Sequence, residues 1–166
     1  MKKLFVLLLT VACFYMHAQG PASKRDQEFV KCAAHAGMME VRLGELAQTN
    51  ALSPEVKKLG QMMIDDHTKA NNELTALAQK KGIAVPTTLT DKEQKGYDKL
   101  AKMQGKDFDK AYTKCMVKDH KKVICKFKKE AKKGDDAELK TWASNTIPSL
   151  EHHKHMSEET CKAIKK

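Results

Sequence analysis

Four ionisable side chains lie at helical spacing inside apolar stretches, where charged or hydrogen-bonding groups are unusual. They are Glu40, His67, His120 and His153, one in each of the four longest segments that favour helix. Imidazole nitrogens and carboxylate oxygens are protein ligands that Zn, Cu and Fe accept. The four residues are therefore candidate ligands for one of these metals, provided that the fold brings them together.

The apolar pattern around each residue indicates that its side chain points inward. Ala36, Glu40 and Leu43 follow one another in steps of three or four residues, which places them on one helix face. A Met precedes His67 by four residues, and another precedes His120 by the same interval. Thioether and imidazole groups on one face suit copper, particularly Cu(I). Met is also an ordinary core residue, so the pattern fits a plain helical core as well.

Helices are the elements that must position these side chains. Aromatic residues make up only 5% of the chain, and no segment alternates as a strand would. Ser53 before Pro54 and Thr90 before Glu93 are helix-start signals, while Pro148 is expected to kink the last helix without ending it. The predicted helices cover residues 26–49, 54–81, 91–103, 107–133 and 136–164. They predict an all-α antiparallel four-helix bundle, with the short helix in the connection between the second and fourth.

Counting from the hairpin turns indicates whether the four residues share a level. From a turn near residue 52, Glu40 lies twelve residues back and His67 fifteen forward, a difference of roughly 5 Å. From a turn near residue 134, the levels of His120 and His153 differ by roughly 7 Å. The second difference takes no account of the kink expected at Pro148. We therefore expect all four residues to lie near one level, with the larger mismatch at His153.

Two Asp residues stand beside the candidate His ligands. Asp66 and Asp119 directly precede His67 and His120, so each points about 100° away from its neighbour around the helix. We expect these carboxylates to orient only ligands that lie on neighbouring helices.

The N-terminus has the form of a secretory signal. Two Lys precede a short apolar stretch from Leu4 to Cys13, which is too short to span a bilayer. Cleavage after Ala18 is predicted, leaving a single domain over residues 19–166 that is exported to the periplasm or associated with the outer membrane. In an alternative interpretation, Cys13 becomes a lipidated N-terminus. No later segment is apolar enough to cross a membrane.

Four cysteines follow the predicted signal: Cys32, Cys115, Cys125 and Cys161. An oxidising compartment permits disulfides, but a domain of this length does not need them. Four cysteines allow three full connectivities. If the helices alternate up and down, the start of the first and the end of the last lie together, which favours Cys32 with Cys161.

Positive charge dominates the chain, with 31 Lys and Arg against 21 Asp and Glu, a net charge of +10. Eight Lys between Lys118 and Lys133 give the predicted fourth helix a basic outer face. Export argues against nucleic acid as a partner and favours an anionic envelope component. A solvated face that keeps the protein soluble is the alternative interpretation.

Several local motifs together resemble a known family. They include Phe29-Val30, the run from Gly37 to Val41, Asp66-His67-Thr68, Phe108-Asp109 with Tyr112, and Pro148 with Leu150 and His153. This combination resembles the exported bacterial domain-of-unknown-function 4142 family of the ferritin-like superfamily. The resemblance implies a ferritin-like four-helix fold and no assigned reaction. Ferritin-like di-iron sites use Glu-x-x-His motifs, and this sequence contains none.

Two functional hypotheses follow. In the first, Glu40, His67, His120 and His153 bind a transition metal in the bundle core. In the second, the same residues form a buried hydrogen-bonded network, since unpaired buried polar groups are costly, and the protein acts in envelope interaction or stress through its basic surface. No Ser-His-Asp arrangement, phosphate loop or paired-carboxylate motif supports an enzyme.

Overall fold

The chain folds into five α-helices, seen in a computed structural model that describes residues 22–165. They are α1 (Lys24–Asn50), α2 (Pro54–Lys80), α3 (Asp91–Ala101), α4 (Gly105–Lys133) and α5 (Ala137–Ala163). The predicted all-α fold is confirmed, and every predicted helix end lies within two residues of the observed one. The predicted signal at residues 1–18 and the alternative anchor at Cys13 lie outside the described residues, and the bounds of the predicted domain stay a prediction.

Side-chain caps explain where the helices begin. The Ser53 hydroxyl accepts hydrogen bonds from the backbone N–H groups of Glu55 and Val56, and Thr90 forms a capping box with Glu93. Pro148 lies inside α5, which continues to Ala163 as expected. The two start signals and the continuous last helix are therefore as the sequence predicted.

The connection between α2 and α4 runs the full length of the bundle. At one end, the Lys81 ammonium lies 2.6 Å from the Asp136 carboxylate, just before α5. At the other end, the Asn50 side-chain amide donates to the carbonyls of Ala101 and Met103, where α3 finishes. Consequently α4 runs antiparallel to α1, and α5 runs antiparallel to α2. These contacts, with the α1–α2 and α4–α5 hairpins, complete the ferritin-like bundle.

This long connection makes the predicted Cys32–Cys161 disulfide wrong. The helices do not simply alternate up and down, because the segment carrying α3 returns the chain to the far end before α4 begins. Cys32 therefore lies near the end where α5 starts, whereas Cys161 lies near the end where α5 finishes. All four cysteines of the described region are free thiols.

Two buried carboxylates fasten the two hairpin turns to the opposite hairpin. Asp26, in the first turn of α1, accepts backbone hydrogen bonds from Asp135 and Asp136 at 3.0 and 3.1 Å. Asp109, near the start of α4, accepts them from Leu52 and Ser53 at 3.1 and 3.0 Å. Each carboxylate satisfies two backbone donors that the helices leave unpaired, and so each fixes the level of one hairpin against the other.

A polar layer divides the bundle core into two apolar clusters. One cluster lies towards the start of α1 and includes Phe29, Leu74, Phe127 and Leu150. The other lies towards the end of α1 and includes Leu43, Met63, Phe108, Tyr112 and Met116. Between the two levels lie the four residues that the sequence singled out, Glu40, His67, His120 and His153.

Candidate metal centre

The polar layer consists of one inward-pointing residue from each long helix. Glu40 is 5% exposed, His67 is 7% exposed, and both His120 and His153 are 1% exposed. His153 lies at the shared level although the residue count gave it the larger mismatch. Helical side chains lean towards the N-terminus of their own helix, so side chains on antiparallel α4 and α5 lean towards each other and close the difference in level.

The three His rings meet in the centre of the bundle. The ring centroids of His67 and His153 are 5.1 Å apart, those of His120 and His153 are 5.4 Å apart, and those of His67 and His120 are 5.7 Å apart. One nitrogen from each ring lies within 4.8 Å of a nitrogen of both others. Three nitrogens that bind one ion at about 2.1 Å stand roughly 3.5 Å apart, so small ring rotations bring them to binding distance.

The hydrogen bond of His120 leaves one of its nitrogens available. Its Nδ1 lies 2.9 Å from the Met116 carbonyl oxygen. Because a carbonyl only accepts, Nδ1 carries the proton and Nε2 keeps its lone pair. The His120 Nε2 atom is buried without a hydrogen-bond partner among the described residues.

His153 is oriented by a carboxylate from a neighbouring helix. Its Nε2 donates to Asp66 Oδ2 at 2.7 Å, which leaves the lone pair on Nδ1. That Nδ1 atom and His67 Nε2 are also buried and unpartnered within residues 22–165. The sequence-based expectation for Asp66 holds, since it orients a ring on α5 rather than its own neighbour His67. Asp119 instead accepts a hydrogen bond from the Cys115 thiol at 3.1 Å.

Glu40 lies beside the three rings without bonding to them. Its Oε1 is 3.8 Å from His120 Nδ1, longer than a hydrogen bond, and its Oε2 has no hydrogen-bond partner within the described part of the chain. Of the four residues that the sequence proposed, the structure thus brings three together as nitrogen donors and places the fourth next to them as a carboxyl group.

Burial keeps all these groups in their uncharged forms. It lowers the pKa of His67 to about 3, with the nearby His153 and His120 contributing, and it lowers the pKa of His120 to about 4. Burial also lowers the pKa of His153, against the opposing effect of Asp66. Burial, followed by the charge of Asp119, raises the pKa of Glu40 to about 8. At neutral pH the three imidazoles are therefore neutral, which is the form that binds metal.

Tyr112 is a polar member of this region that the sequence did not single out. Its hydroxyl is buried without a hydrogen-bond partner among the described residues, and burial, with Glu40 second, raises its pKa well above the usual value. The sequence contained a signal for its position, since Tyr112, Met116 and His120 follow at intervals of four residues and so share one helix face. Burial and Asp119 likewise raise the pKa of the Cys115 thiol, so this group stays protonated.

The donor set does not fit the di-iron centre of ferritin-like oxidases. Such centres take a Glu from two helices and a Glu-x-x-His motif from each of the other two. Here the layer between the apolar clusters contains a single carboxyl group, Glu40, among three imidazoles. The other buried acids of the described region, Asp26, Asp109 and Glu130, lie near the ends of the bundle. The shared architecture therefore carries a different ligand set.

Comparison with known proteins agrees with the sequence resemblance. Residues 13–160 match the family model described as a domain of unknown function, DUF4142. The chain belongs to this family. Among curated proteins, no sequence matches it.

Solved structures with the same fold include two kinds of protein. A DUF305 fragment from Deinococcus radiodurans aligns with a TM-score of 0.75 at 10% identity, over 86% of this chain and 99% of that one. CopM in its Cu(I)-bound form aligns with a TM-score of 0.67 at 20% identity, over 81% of this chain and 93% of that one. CopM in its silver-bound form gives 0.65 at 21% identity, over the same shares of the two chains. At these identities, the likeness establishes the fold.

Within the described residues, no helix combines the length and the apolar composition that crossing a bilayer requires. Export to the periplasm remains a prediction.

Proposed function

We propose that this protein binds a single copper ion, as Cu(I), through His67, His120 and His153 in the bundle core. The observation that carries the proposal is the meeting of three buried, neutral imidazoles, with one nitrogen of each within 4.8 Å of the others. Each ring also has a buried nitrogen without a hydrogen-bond partner in the described region. Unpaired buried nitrogens are costly in a plain core, and metal binding gives them a partner.

The alternative of a buried structural network fits less well. A network that satisfied its own members would pair these nitrogens with each other or with Glu40. Instead, the described hydrogen bonds of His120 and His153 go outward, to the Met116 carbonyl and to Asp66. Outward bonds of this kind hold metal-binding His rings in orientation and fix which nitrogen keeps its lone pair.

Charge and ligand softness favour Cu(I) over the other metals considered. Glu40 is the only buried carboxyl group in the layer among the described residues, and Asp66, which bonds to His153, is half exposed to water. The buried site therefore supplies at most one negative charge to balance the ion, when Glu40 releases its proton on metal binding. A monovalent ion is then neutralised, whereas Zn²⁺ or Fe²⁺ leaves one positive charge uncompensated in an apolar core. Met63 and Met116, both fully buried, lie one helical turn from His67 and His120, and thioethers suit Cu(I).

One structural neighbour supports copper as the metal. CopM, which shares the fold, has been crystallised with Cu(I), Cu(II) and silver. Silver(I) is a chemical analogue of Cu(I) in charge and softness, so a site built for one is expected to accept the other.

The test is a Cu(I) titration of untagged protein under anaerobic conditions against a competing Cu(I) chelator. We expect one ion per chain in the wild-type protein and at least a hundredfold weaker binding in His67→Ala and His120→Ala, each of which removes one of three ligands. His152→Ala is the matched control, because His152 is the exposed neighbour of His153. Far-UV circular dichroism verifies that each variant keeps its helices.

Two results would overturn the proposal in different ways. Copper that stays bound in both core variants, or that is lost equally in His152→Ala, would show that the buried rings are not the ligands. One equivalent of Zn²⁺ that competes effectively with Cu(I) and depends on His120 would retain the site and reject the choice of metal.

A further inference from the structure

The positive charge of the bundle is concentrated on one helix. α4 contains eleven Lys against four acidic residues, a net charge of +7. α1 and α2 each contain four basic and four acidic residues, and α5 contains three Lys against four Glu. Positive charge that served only solubility would be expected on all the helices. Its concentration on α4 therefore indicates a more specific function for this helix.

The exposed surface of α4 is more positive than the net charge of the helix indicates, because two of its acidic residues are buried. All eleven Lys side chains are exposed, whereas Asp109 and Glu130, two of the four acids, are buried. Over 29 residues, the helix presents these charges along about 43 Å. Facing solvent, α4 is thus a nearly unbroken row of ammonium groups, which we call the lysine face of α4.

Few of these charges are neutralised within the protein. Lys121 pairs with Glu158 at 3.5 Å and Lys128 pairs with Glu151 at 2.7 Å, both across to α5. Lys122 pairs with Asp119 on α4 itself at 3.1 Å. The other eight lysines of α4 have no carboxylate within 4.0 Å among residues 22–165, so their charges are available to an external anion.

The lysine face continues across a groove onto the end of α5. The groove is lined by Lys114, Lys118, Lys121, Lys122, Lys162 and Lys165, with Glu158 as its acidic member. Val117 also lines it, so the methylene stems of the lysines have an apolar surface to lie on while their ammonium groups reach outward.

We propose that the lysine face of α4 holds the protein on an anionic phospholipid surface. Every cationic group on the face is Lys, a point charge suited to a diffuse field of headgroups, and the described Arg residues, Arg25 and Arg42, both lie on α1. Arg predominates where phosphates or bases are read in fixed geometry. Single-stranded nucleic acids also need exposed aromatic residues for base stacking, whereas Phe108, Tyr112 and Phe127 of α4 are buried. The composition therefore favours a lipid surface over nucleic acid.

The experiment is vesicle co-sedimentation with the protein from residue 19 onward, which contains every helix of the described bundle. The vesicles are made of zwitterionic phosphatidylcholine alone or with about one third anionic phosphatidylglycerol. We expect binding to the anionic vesicles only, and its loss in 0.5 M NaCl, where screening shortens the range of the attraction to about 4 Å.

Two charge-matched variants separate the face from net charge. Replacing Lys114, Lys118, Lys129 and Lys132 by Gln removes four unpaired charges from the lysine face, and we expect at least about tenfold weaker vesicle binding. Replacing Lys57, Lys58, Lys69 and Lys95 by Gln removes four exposed charges from α2 and α3, and we expect little change. Gln favours helix about as strongly as Lys, so both folds are expected to survive.

Three results would overturn the proposal: equal loss in the two variants, unchanged binding in the α4 variant, and duplex DNA that displaces the protein from the vesicles at equal phosphate concentration. The proposal is independent of copper. His120→Ala, which removes a proposed copper ligand, is expected to bind vesicles as the wild-type protein does.

Discussion

Two sets of buried polar side chains in this bundle differ in how their hydrogen bonds are satisfied. At the ends, Asp26 and Asp109 each accept two backbone hydrogen bonds from a hairpin turn. In the middle, His67, His120 and His153 each keep a buried nitrogen without a partner among the described residues. The carboxylates at the ends stabilise the fold by pairing with the hairpin turns, while the central nitrogens keep lone pairs that can bind a metal ion. Two accepted backbone hydrogen bonds therefore mark Asp26 and Asp109 as structural. The candidate site is marked by three unpaired nitrogens that lie together, and not by an unpaired atom alone, since Glu130 Oε1 near one end is also buried without a partner in the described region.

The largest expected effect is the increase in thermal stability when copper binds to the central layer of the folded protein. An ion that binds only the folded state stabilises it by about 4 kcal/mol when its free concentration is a thousand times the Kd. We expect Cu(I) to raise the Tm of the wild-type protein and of Asp109→Ala by similar amounts, and to raise the Tm of His120→Ala by less than half as much, since its binding is at least a hundredfold weaker. Thermal unfolding followed by circular dichroism, with and without Cu(I), measures this difference. A copper-dependent rise in His120→Ala as large as that of the wild-type protein would show that His120 is not a copper ligand.

The next effect concerns the ends. Asp109→Ala removes two charge-assisted hydrogen bonds and leaves the backbone donors of Leu52 and Ser53 unpaired, which we expect to lower the free energy of unfolding by about 3 kcal/mol. Copper affinity is expected to stay the same. Asp107→Ala, an exposed change in the same helical turn, is the control and is expected to cost less than about 1 kcal/mol. Urea unfolding of the copper-free variants measures both free energies of unfolding. Equal decreases in Asp109→Ala and Asp107→Ala would show that the bonds from Asp109 to the hairpin turn do not stabilise the fold.

A third effect is the pH dependence that the neutral rings give to the copper-free protein. Burial lowers the pKa of folded His67 to about 3, whereas the same group titrates near 6.5 when unfolded. Between these values the unfolded chain binds the extra proton, so stability falls as the pH decreases from 7 towards 4. The contribution of one such ring between pH 7 and pH 5 is at most about 2 kcal/mol.

Comparison of the wild-type protein with His67→Leu isolates this contribution from other groups. Glu40 acts in the opposite direction, because its pKa of about 8 in the folded state means that its contribution is lost as the pH rises. Urea unfolding at pH 7 and pH 5 should therefore show a smaller loss of stability in His67→Leu than in the wild-type protein. Equal losses would mean that His67 is protonated in the folded protein.

The sequence predicted the fold because its signals are local. Helix periodicity, the cap at Ser53 and the capping box at Thr90 depend on neighbouring residues alone, and they predicted all five helices. The relative directions of the helices were harder to predict, because they depend on the long segment around α3 that returns the chain to the other end of the bundle. The Cys32–Cys161 pairing was wrong for this reason.

The polar layer was found from the sequence because a Glu or His in an apolar stripe is visible without any structure. The lean of antiparallel side chains was not included in the level count, so the count gave His153 the larger mismatch. In the structure, Glu40 is the residue that stands apart from the nitrogens. The hydrogen bonds that Asp26 and Asp109 accept from the hairpin turns were not predicted either. They join residues that are far apart in sequence, and a single Asp near a helix start is typical of any helix.

The smallest expected effect connects the two places, because Asp66 is a partly exposed carboxylate that acts on the central layer. Its Oδ2 accepts the hydrogen bond from His153 Nε2 at 2.7 Å and so keeps the lone pair on Nδ1. Loss of such an orienting partner typically weakens metal binding by 10- to 100-fold. Because an amide still accepts a hydrogen bond but carries no charge, we expect Asp66→Asn to weaken Cu(I) binding by about tenfold, towards the lower end of this range, and Asp66→Ala by more.

The neighbouring Asp65 supplies the control, since it is exposed and bonds only to Gln61 on its own helix. Asp65→Ala removes the same charge from the adjacent position of α2, so an effect that came only from lost charge on this helix would weaken copper binding in both variants. Orientation of His153 instead predicts a graded series in which Asp65→Ala matches the wild-type protein, Asp66→Asn is intermediate and Asp66→Ala is weakest. Competition titrations with a Cu(I) chelator give the order. Equal weakening in Asp65→Ala and Asp66→Ala would indicate an effect of charge alone, and unchanged binding in both Asp66 variants would show that Asp66 does not orient His153.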